Sequence, residues 1–399
     1  MTFYRRLYDE HGVTPSQIRG MADLEKLPRV SKKMLQRTAI AERIAKGIDP
    51  SRLLVRQTTG TTGEPLSVFT TLAESRLLDL YYFQAFRSLG VRRSDLAAGI
   101  RLPRPGEPNA EYTPLRKLAN RLRIYPRTDL FSVRPAELLE AFKQLRPEVI
   151  GGVPGRLSLF ASKWPEADRE FVRRASWPQL VVTGGEKLST SIRAHLSEAF
   201  GAPVFDMYSS VEFHLIAFEC LSTGAYHVSD ETVALEILKE GRPAVSGETG
   251  QPVMTALHLF ASPVIRYKVS DLVTVGQPTC ECGASLSTLT SIDGRSMNFF
   301  EFSDGAIFQD VKINEAIAFA APWARQTQLS LPSPDVMIVK IAPLGATSAE
   351  DQERLRLYIA DFVGNRARVE VVIDPELGPV DGEKFRSMIR PDDAKPTTP

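Results

Sequence analysis

Three short stretches of this chain combine residue types that can hold a nucleotide. Thr58-Thr59-Gly60-Thr61-Thr62-Gly63-Glu64-Pro65 joins small residues, whose backbone N–H groups can turn toward an anion, with hydroxyls that add donors. Phosphate is the obvious guest, although the loop lacks the Lys and following Ser or Thr of a Walker motif. In Asp206-Met207-Tyr208-Ser209-Ser210-Val211-Glu212, the tyrosine face can stack on a purine. The carboxylate four residues later can hold Mg2+ beside phosphates. Ile265-Arg266-Tyr267-Lys268-Val269-Ser270-Asp271, with Gly294-Arg295 further on, offers a carboxylate for both ribose hydroxyls and a guanidinium for phosphate oxygens. Each stretch alone reads more readily as a turn, a core tyrosine with a surface acid, or surface charge.

The chain has only three cysteines, so a disulfide framework is excluded. Three thiols with one histidine would instead complete a zinc site, and buried free thiols are the alternative. Lys and Arg number 49 against 48 Asp and Glu, which gives no general basic field and argues against a dedicated nucleic-acid partner. The start, MTFYRRLYDEHG, is charged and lacks a signal peptide's apolar stretch, and no run approaches the length of a membrane span. A cytoplasmic protein is the expectation. There is no HExxH or GxSxG, so zinc proteases and the usual α/β-hydrolases lose support.

The elements that must position these residues follow from periodicity. Residues 1–50 read as helical and polar, with Lys32, Lys33, Arg37, Arg43 and Lys46 on a solvated face. Leu78, Tyr82, Ala85, Phe86 and Leu89 fall on one helical stripe. Residues 103–127 are rich in Pro and Arg and predict an irregular connection. From about 135 to 217, strands alternate with helices, which predicts an α/β unit with a parallel sheet. Ser189 is placed to cap a helix whose Ile192, Leu196, Ala199 and Phe200 share a face. Residues 225–292 break into short β-prone runs separated by turns and predict a mostly antiparallel β subdomain. Beyond them, Leu355, Ile359, Phe362 and Val363 form a helical stripe, and Val369, Val371 and Ile373 alternate as in a strand.

The motifs occur in a particular order: MADLEKLPRVSKKML, TTGTTGEP, TGGEKLS, DMYSSVEFHLIAFEC, AYHVSDETVALEIL, PVIRYKVSD and DGRS. In this series the chain resembles the adenylate-forming (acyl-AMP) superfamily, and more closely its phenylacetate–CoA ligase-like branch. The resemblance implies an α/β and β fold. A large N-terminal domain, 1–293, would contain the β-rich, zinc-clamped subdomain of about 225–292. A small α+β C-terminal lid, 294–399, would end in a disordered tail.

The resemblance also implies roles. Thr58, Thr59, Gly60, Thr61, Thr62 and Gly63 would hold the ATP phosphates, with Asp206 beside the nucleotide. Gly184, Gly185 and Glu186 would border the nucleotide and acyl group. Tyr208 would stack on adenine, Glu212 bind Mg2+, Asp271 hold the ribose, and Arg295 help near ribose or phosphate. Lys384 would place a point charge where negative charge develops during adenylation. Ser209 and His214 are acyl-pocket candidates. Cys220, His227, Cys280 and Cys282 would form a structural zinc site.

The implied activity is ATP-dependent conversion of a carboxylic acid, aromatic by family association, to acyl-AMP, followed by transfer to a thiol, with coenzyme A favoured. Four positions depart from the family pattern: Glu64, Ser209, Ser270 and the Arg295-Ser296-Met297-Asn298 hinge. They leave two alternatives open: transfer to an amine or a carrier-protein thiol, and a non-catalytic nucleotide-binding relative. A homodimer is also left open.

Overall fold

The computed structural model describes residues 1–58, 65–92, 94–100, 127–131, 143, 146–162, 164–295, 299–378 and 385–389. Thr59–Gly63 of the predicted phosphate loop, Lys384, and nearly all of the 103–127 connection lie outside the described residues. The chain forms two compact units. One comprises Met1–Val91 with Met207–Ser296, and the other Arg92–Asp206 with Met297–Pro399. The boundary expected at 293/294 lies close to one of these cuts. The cuts at 91/92 and 206/207 have no counterpart in the sequence reading.

The first unit is built on antiparallel strands, as predicted for 225–292. Val233–Lys239 pairs with Thr249–Ala256, which pairs with Asp271–Val275, which pairs with Thr288–Arg295. Thr288–Arg295 continues to Tyr226–Val228, and Tyr226–Val228 to His214–Glu219. The turn at Glu240-Gly241 shows how local sequence sets this register. Both residues have positive φ, 52° and 88°, and the two-residue loop pairs Lys239 with Arg242. Such a loop matches the right-handed twist of its flanking strands.

The core of this unit joins residues distant in sequence: Phe3, Tyr4, Leu7, Val30, Leu66 and Leu78 pack with Phe213, Ile216, Met254, Val264 and Leu289. Helix Leu72–Ser88 begins with a capping box, in which Thr71 and Glu74 satisfy each other's backbone N–H groups. The other oxygen of Glu74 accepts the N–H groups of Phe260 and Ala261, at 2.6 and 2.8 Å. Two arginines are buried here rather than solvated. Arg43, expected on the solvated face, donates to the Leu35 and Ser67 carbonyls and lies over Phe69. Arg266 pairs with Glu236 and also donates to the Glu25 and Leu27 carbonyls.

The second unit has two cores. In the first, parallel strands Leu180–Gly184, Val149–Gly152, Leu96–Ile100 and Arg127–Phe131 lie side by side in that order. Helices Pro154–Ser162 and Thr190–Phe200 contribute to this core. Ser189 caps the latter helix, accepting the Ile192 N–H at 3.2 Å, and all four residues of its predicted stripe are buried. In the second, strands Arg368–Ile373, Val336–Pro343, Ala324–Ser333 and Met388–Ile389 form a sheet with helices Asp310–Ala320 and Ala349–Phe362. Leu355, Ile359 and Val363 enter this core. Phe362, expected on the same stripe, stays 38% exposed at its margin against Phe308. Among the described residues, no helix is long and apolar enough to cross a membrane.

Candidate functional site

In the first unit, Tyr208 and Asp271 meet although 63 residues separate them: the phenol donates to Asp271 Oδ2 at 2.6 Å. Tyr208 is near the end of strand Val204–Ser210, where a register shift between Tyr208 and Ser209 interrupts the pairing with His214–Glu219. A bulge of this kind re-aims side chains at a sheet margin. Asp271 opens its strand directly opposite Arg295, so sheet register places two of the predicted nucleotide residues side by side. Burial, together with Asp271 and then Glu212, holds the Tyr208 phenol well above its usual pKa, so it is a donor and not a phenolate.

Glu212 occupies the turn between strands 204–210 and 214–219 and is buried. Its Oε1 accepts the Tyr267 hydroxyl at 3.1 Å. Burial, reinforced by Glu212, likewise raises the Tyr267 pKa far above the ordinary range. Two carboxylates, each capped by a protonated phenol, thus stand within electrostatic reach of Tyr208.

His214 follows in left-handed conformation, φ 59°, and is buried against Arg56. Arg56 Nη1 lies 3.0 Å from His214 Nδ1, and its Nη2 donates to Ser75 Oγ at 2.9 Å. Burial first, and the Arg56 charge second, push the His214 pKa down to about 3. A neutral imidazole held by a guanidinium lines a site; it does not supply a proton at neutral pH. Thr58, the described end of the predicted phosphate loop, pairs with Leu66, donating its N–H to the Leu66 carbonyl and accepting the Leu66 N–H at Oγ1.

In the second unit, Asp206 is buried and accepts from Thr183 Oγ1 at 2.7 Å. Gly184 ends its strand, and Gly185 has φ 83°, a conformation that a side chain would strain. That turn delivers Glu186, whose Oε1 accepts the N–H of Phe385 at 2.8 Å.

The cysteines converge with His227. The ligand atoms of Cys220, His227, Cys280 and Cys282 all lie within 4.8 Å of one another. Cys220 Sγ and Cys280 Sγ are 3.7 Å apart, and Cys282 Sγ is 3.5 Å from His227 Nε2. A tetrahedron with Zn–S about 2.3 Å and Zn–N about 2.05 Å has S–S edges of roughly 3.8 Å and S–N edges of roughly 3.5 Å. The donor set and these two edges fit zinc. Cys220 follows strand His214–Glu219, His227 lies in the next strand, and Cys280 and Cys282 lie in the loop leading to Thr288–Arg295. Burial raises the Cys220 pKa, but Thr223, the backbone at 222 and 223, and Cys280 together bring it down to about 6, favouring the thiolate that binds metal.

No family model matches the chain. It is 26% identical over 317 residues to the phenylacetate–coenzyme A ligase of Thermus thermophilus, a match that covers 74% of this chain and 66% of that protein. It is also 26% identical over 395 residues to the phenylacetate–coenzyme A ligase of Aromatoleum evansii, covering 92% and 85%. In structure, it superposes on a 2-hydroxyisobutyryl-CoA ligase in complex with R3-HIB-AMP with a TM-score of 0.79 at 20% identity, covering 97% of this chain and 85% of that one. The anthranilate CoA ligase AuaEII superposes with a TM-score of 0.60 at 14% identity, covering 86% and 66%. The chain has the adenylate-forming CoA ligase fold.

Within that fold, Tyr208, Glu212, Asp271 and the Arg295 backbone form one neighbourhood of the first unit, and Thr183, Asp206 and Glu186 belong to the second. Sequence reasoning missed Arg56 and Tyr267 as site residues. Tyr267 lies four residues before Asp271, within the same motif. Arg56 precedes the phosphate loop by two positions and carries no motif of its own. Only the tertiary pairing with His214 marks it.

Proposed function

We propose that this chain activates a carboxylic acid with ATP and passes the acyl group to the thiol of coenzyme A. The observation that carries the reading is the Tyr208–Asp271 hydrogen bond, with buried Glu212 beside it, set in an adenylate-forming fold. A substrate carboxylate oxygen attacks the α-phosphorus of ATP, the bond to pyrophosphate breaks, and acyl-AMP forms. A thiolate then attacks the acyl carbonyl and AMP leaves.

Asp271 binds the ribose hydroxyls, its orientation fixed by the Tyr208 phenol. The tyrosine ring stacks on the adenine. Glu212, held by Tyr267, carries the Mg2+ that offsets negative charge on the phosphates. Residues 58–63 cradle the phosphates, and Lys384 adds a point charge during adenylation. His214, neutral at physiological pH, lines the acyl side of the site together with Ser209. Residues 1–293 would supply the adenylation body and 294–399 the smaller C-terminal part, which has its own hydrophobic core although it shares a compact unit with 92–206. Cys220, His227, Cys280 and Cys282 hold a structural zinc that clamps the β-rich segment.

The names of the relatives favour an aromatic acid. The test is carboxylate-dependent ATP–pyrophosphate exchange over a panel of aryl, arylacetic, hydroxy and aliphatic acids. Exchange with at least one acid, and CoA-dependent consumption of the acyl-AMP, is expected. No exchange with any acid, from folded protein that binds ATP, overturns the reading in favour of a nucleotide-binding relative. Acyl-AMP consumed only by an amine or a carrier protein overturns the assignment of the acceptor.

A further inference from the structure

Strand Leu54–Gln57 is turned against the usual rule of burial. Its Leu54 and Val55 side chains are exposed, and Arg56 is the one residue of the strand that is not. From there Arg56 reaches two other elements of the first unit. Its Nη2 donates to Ser75 Oγ at 2.9 Å, near the start of helix Leu72–Ser88. Its Nη1 lies 3.0 Å from His214 Nδ1 and also meets Nε2 of the same ring. The helix packs against the strand that His214 opens, and both Ser75 and His214 are buried.

This arrangement has more donors than acceptors. A guanidinium has donors only, and an imidazole has one lone pair when neutral and none when protonated. A single Nη1 facing both ring nitrogens therefore sets at least one N–H against another N–H, whichever tautomer is present. Ser75 Oγ spends its acceptor capacity on Arg56, and its own proton has no acceptor among the described residues. Nor does any carboxylate oxygen of the described residues lie within ion-pair distance of Arg56. Asp79, one helical turn after Ser75, acts on its charge only at longer range. His214 is held meanwhile at φ 59°, a left-handed conformation that a side chain disfavours and that needs a reason. What this corner lacks is an acceptor, and beside a desolvated guanidinium a negatively charged one gains most.

We infer that Arg56, with His214 and Ser75, is a specificity-determining group for the acid: it binds a second anionic group, borne by the acyl part of the substrate. The inference rests on the adenylation reading above, in which His214 lines the acyl side. The substrate class is then a carboxylic acid with a further carboxylate or comparable oxyanion. One carboxylate attacks ATP, and the other takes the N–H groups that now oppose one another. His214 stands two residues after Glu212, so the anion is held beside the reacting centre and not on a remote surface.

The experiment measures ATP–pyrophosphate exchange by the full chain with matched acids: phenylacetate against 4-carboxyphenylacetate, benzoate against terephthalate, and hexanoate against adipate. Each skeleton is also offered with a hydroxyl in place of the second carboxylate. In at least one series the dianionic acid is expected to exceed both partners in kcat/KM by roughly 10-fold or more. In that series Arg56→Met should raise KM for the dianion by roughly 10- to 100-fold, while KM for ATP and the rate with mono-acids change by less than about threefold. Arg56→Lys keeps the charge without the fork and should restore part of the loss. Wild-type exchange that shows no preference for the dianion in any series, or prefers the hydroxyl-bearing partner, overturns the inference without any variant having to fold. So does an unchanged KM in Arg56→Met, a loss shared equally by all acids, which marks a structural role, or a loss confined to KM for ATP, which marks a phosphate contact. Failure of the function reading is distinct: it shows as no wild-type exchange with any acid.

Discussion

The Cys220/His227/Cys280/Cys282 cluster and the Tyr208–Asp271 and Tyr267–Glu212 pairs share one compact unit and one set of antiparallel strands, and each joins residues more than fifty positions apart. They differ in what they ask of a guest. In the cluster, three sulfurs and an imidazole nitrogen lie within 4.8 Å of one another, with two separations at the edge lengths of a metal tetrahedron, an arrangement that a cation would complete. In the pairs, each carboxylate already has a phenol donor, and burial keeps both phenols protonated. The first arrangement offers donor atoms that a cation would join; the second has its hydrogen bonds already made within the protein. The two regions thus differ in how local hydrogen-bonding demand is met, even on neighbouring strands.

The largest effect should come from breaking the preformed side. Glu212→Gln keeps the Tyr267 contact but removes the charge, so pyrophosphate exchange should fall by roughly 100-fold or more. The fold and zinc content should remain unchanged by circular dichroism and metal analysis. A variant that exchanges at the wild-type rate would remove Glu212 from the site.

Next is the cluster. Purified protein should carry one zinc per chain, and Cys280→Ser should lose it together with about 3 kcal/mol of stability, read as a melting temperature lower by roughly 10 °C. If Cys280→Ser kept both zinc and stability, the contrast between the two regions would collapse. Residual exchange activity well below the melting temperature would sharpen it, by showing that the pairs persist without the clamp.

The smallest effect is a slope. The His214 pKa is lowered in the folded state by burial and by Arg56, to about 3 from an ordinary 6.5. Between these values the unfolded chain binds a proton that the folded chain refuses, so stability falls as pH falls from about 6.5 toward 3 and is unaffected above that window. At pH 5 this amounts to about 2 kcal/mol relative to pH 7. Urea unfolding at both pH values should show a shallower loss in His214→Gln than in wild type. An identical slope would mean that His214 is protonated or exposed in the folded protein.

Legibility in the sequence tracked how far a signal depends on register. The Cys/His set was legible through the resemblance: three cysteines name the sulfurs, but only motif order selects His227 among five histidines. Tyr208 and Asp271 were legible through motif order, and the stripe Ile192, Leu196, Ala199 and Phe200 through helical period. Tyr267 beneath Glu212, Arg56 against His214 and Phe385 on Glu186 were not. Each depends on which strand or loop lies beside which, information that no local window holds. Arg43 failed for a related reason: its neighbours in sequence are solvated, while its partners are the Leu35 and Ser67 carbonyls and the Phe69 ring.

The discontinuity of the first unit has a consequence for synthesis. Its core pairs Phe3, Tyr4 and Leu7 with residues between Phe213 and Leu289, and the N–H groups of Phe260 and Ala261 bind the Glu74 carboxylate. The first 91 residues therefore cannot bury their apolar face until the ribosome has added about 200 more. At about 5–20 residues per second, that leaves them waiting for about 10–40 s. During that interval Phe3, Tyr4, Leu7, Leu66 and Leu78 have no native partners from the far side of the core. The newborn N-terminal segment is thus the stretch of this polypeptide with most reason to meet a chaperone.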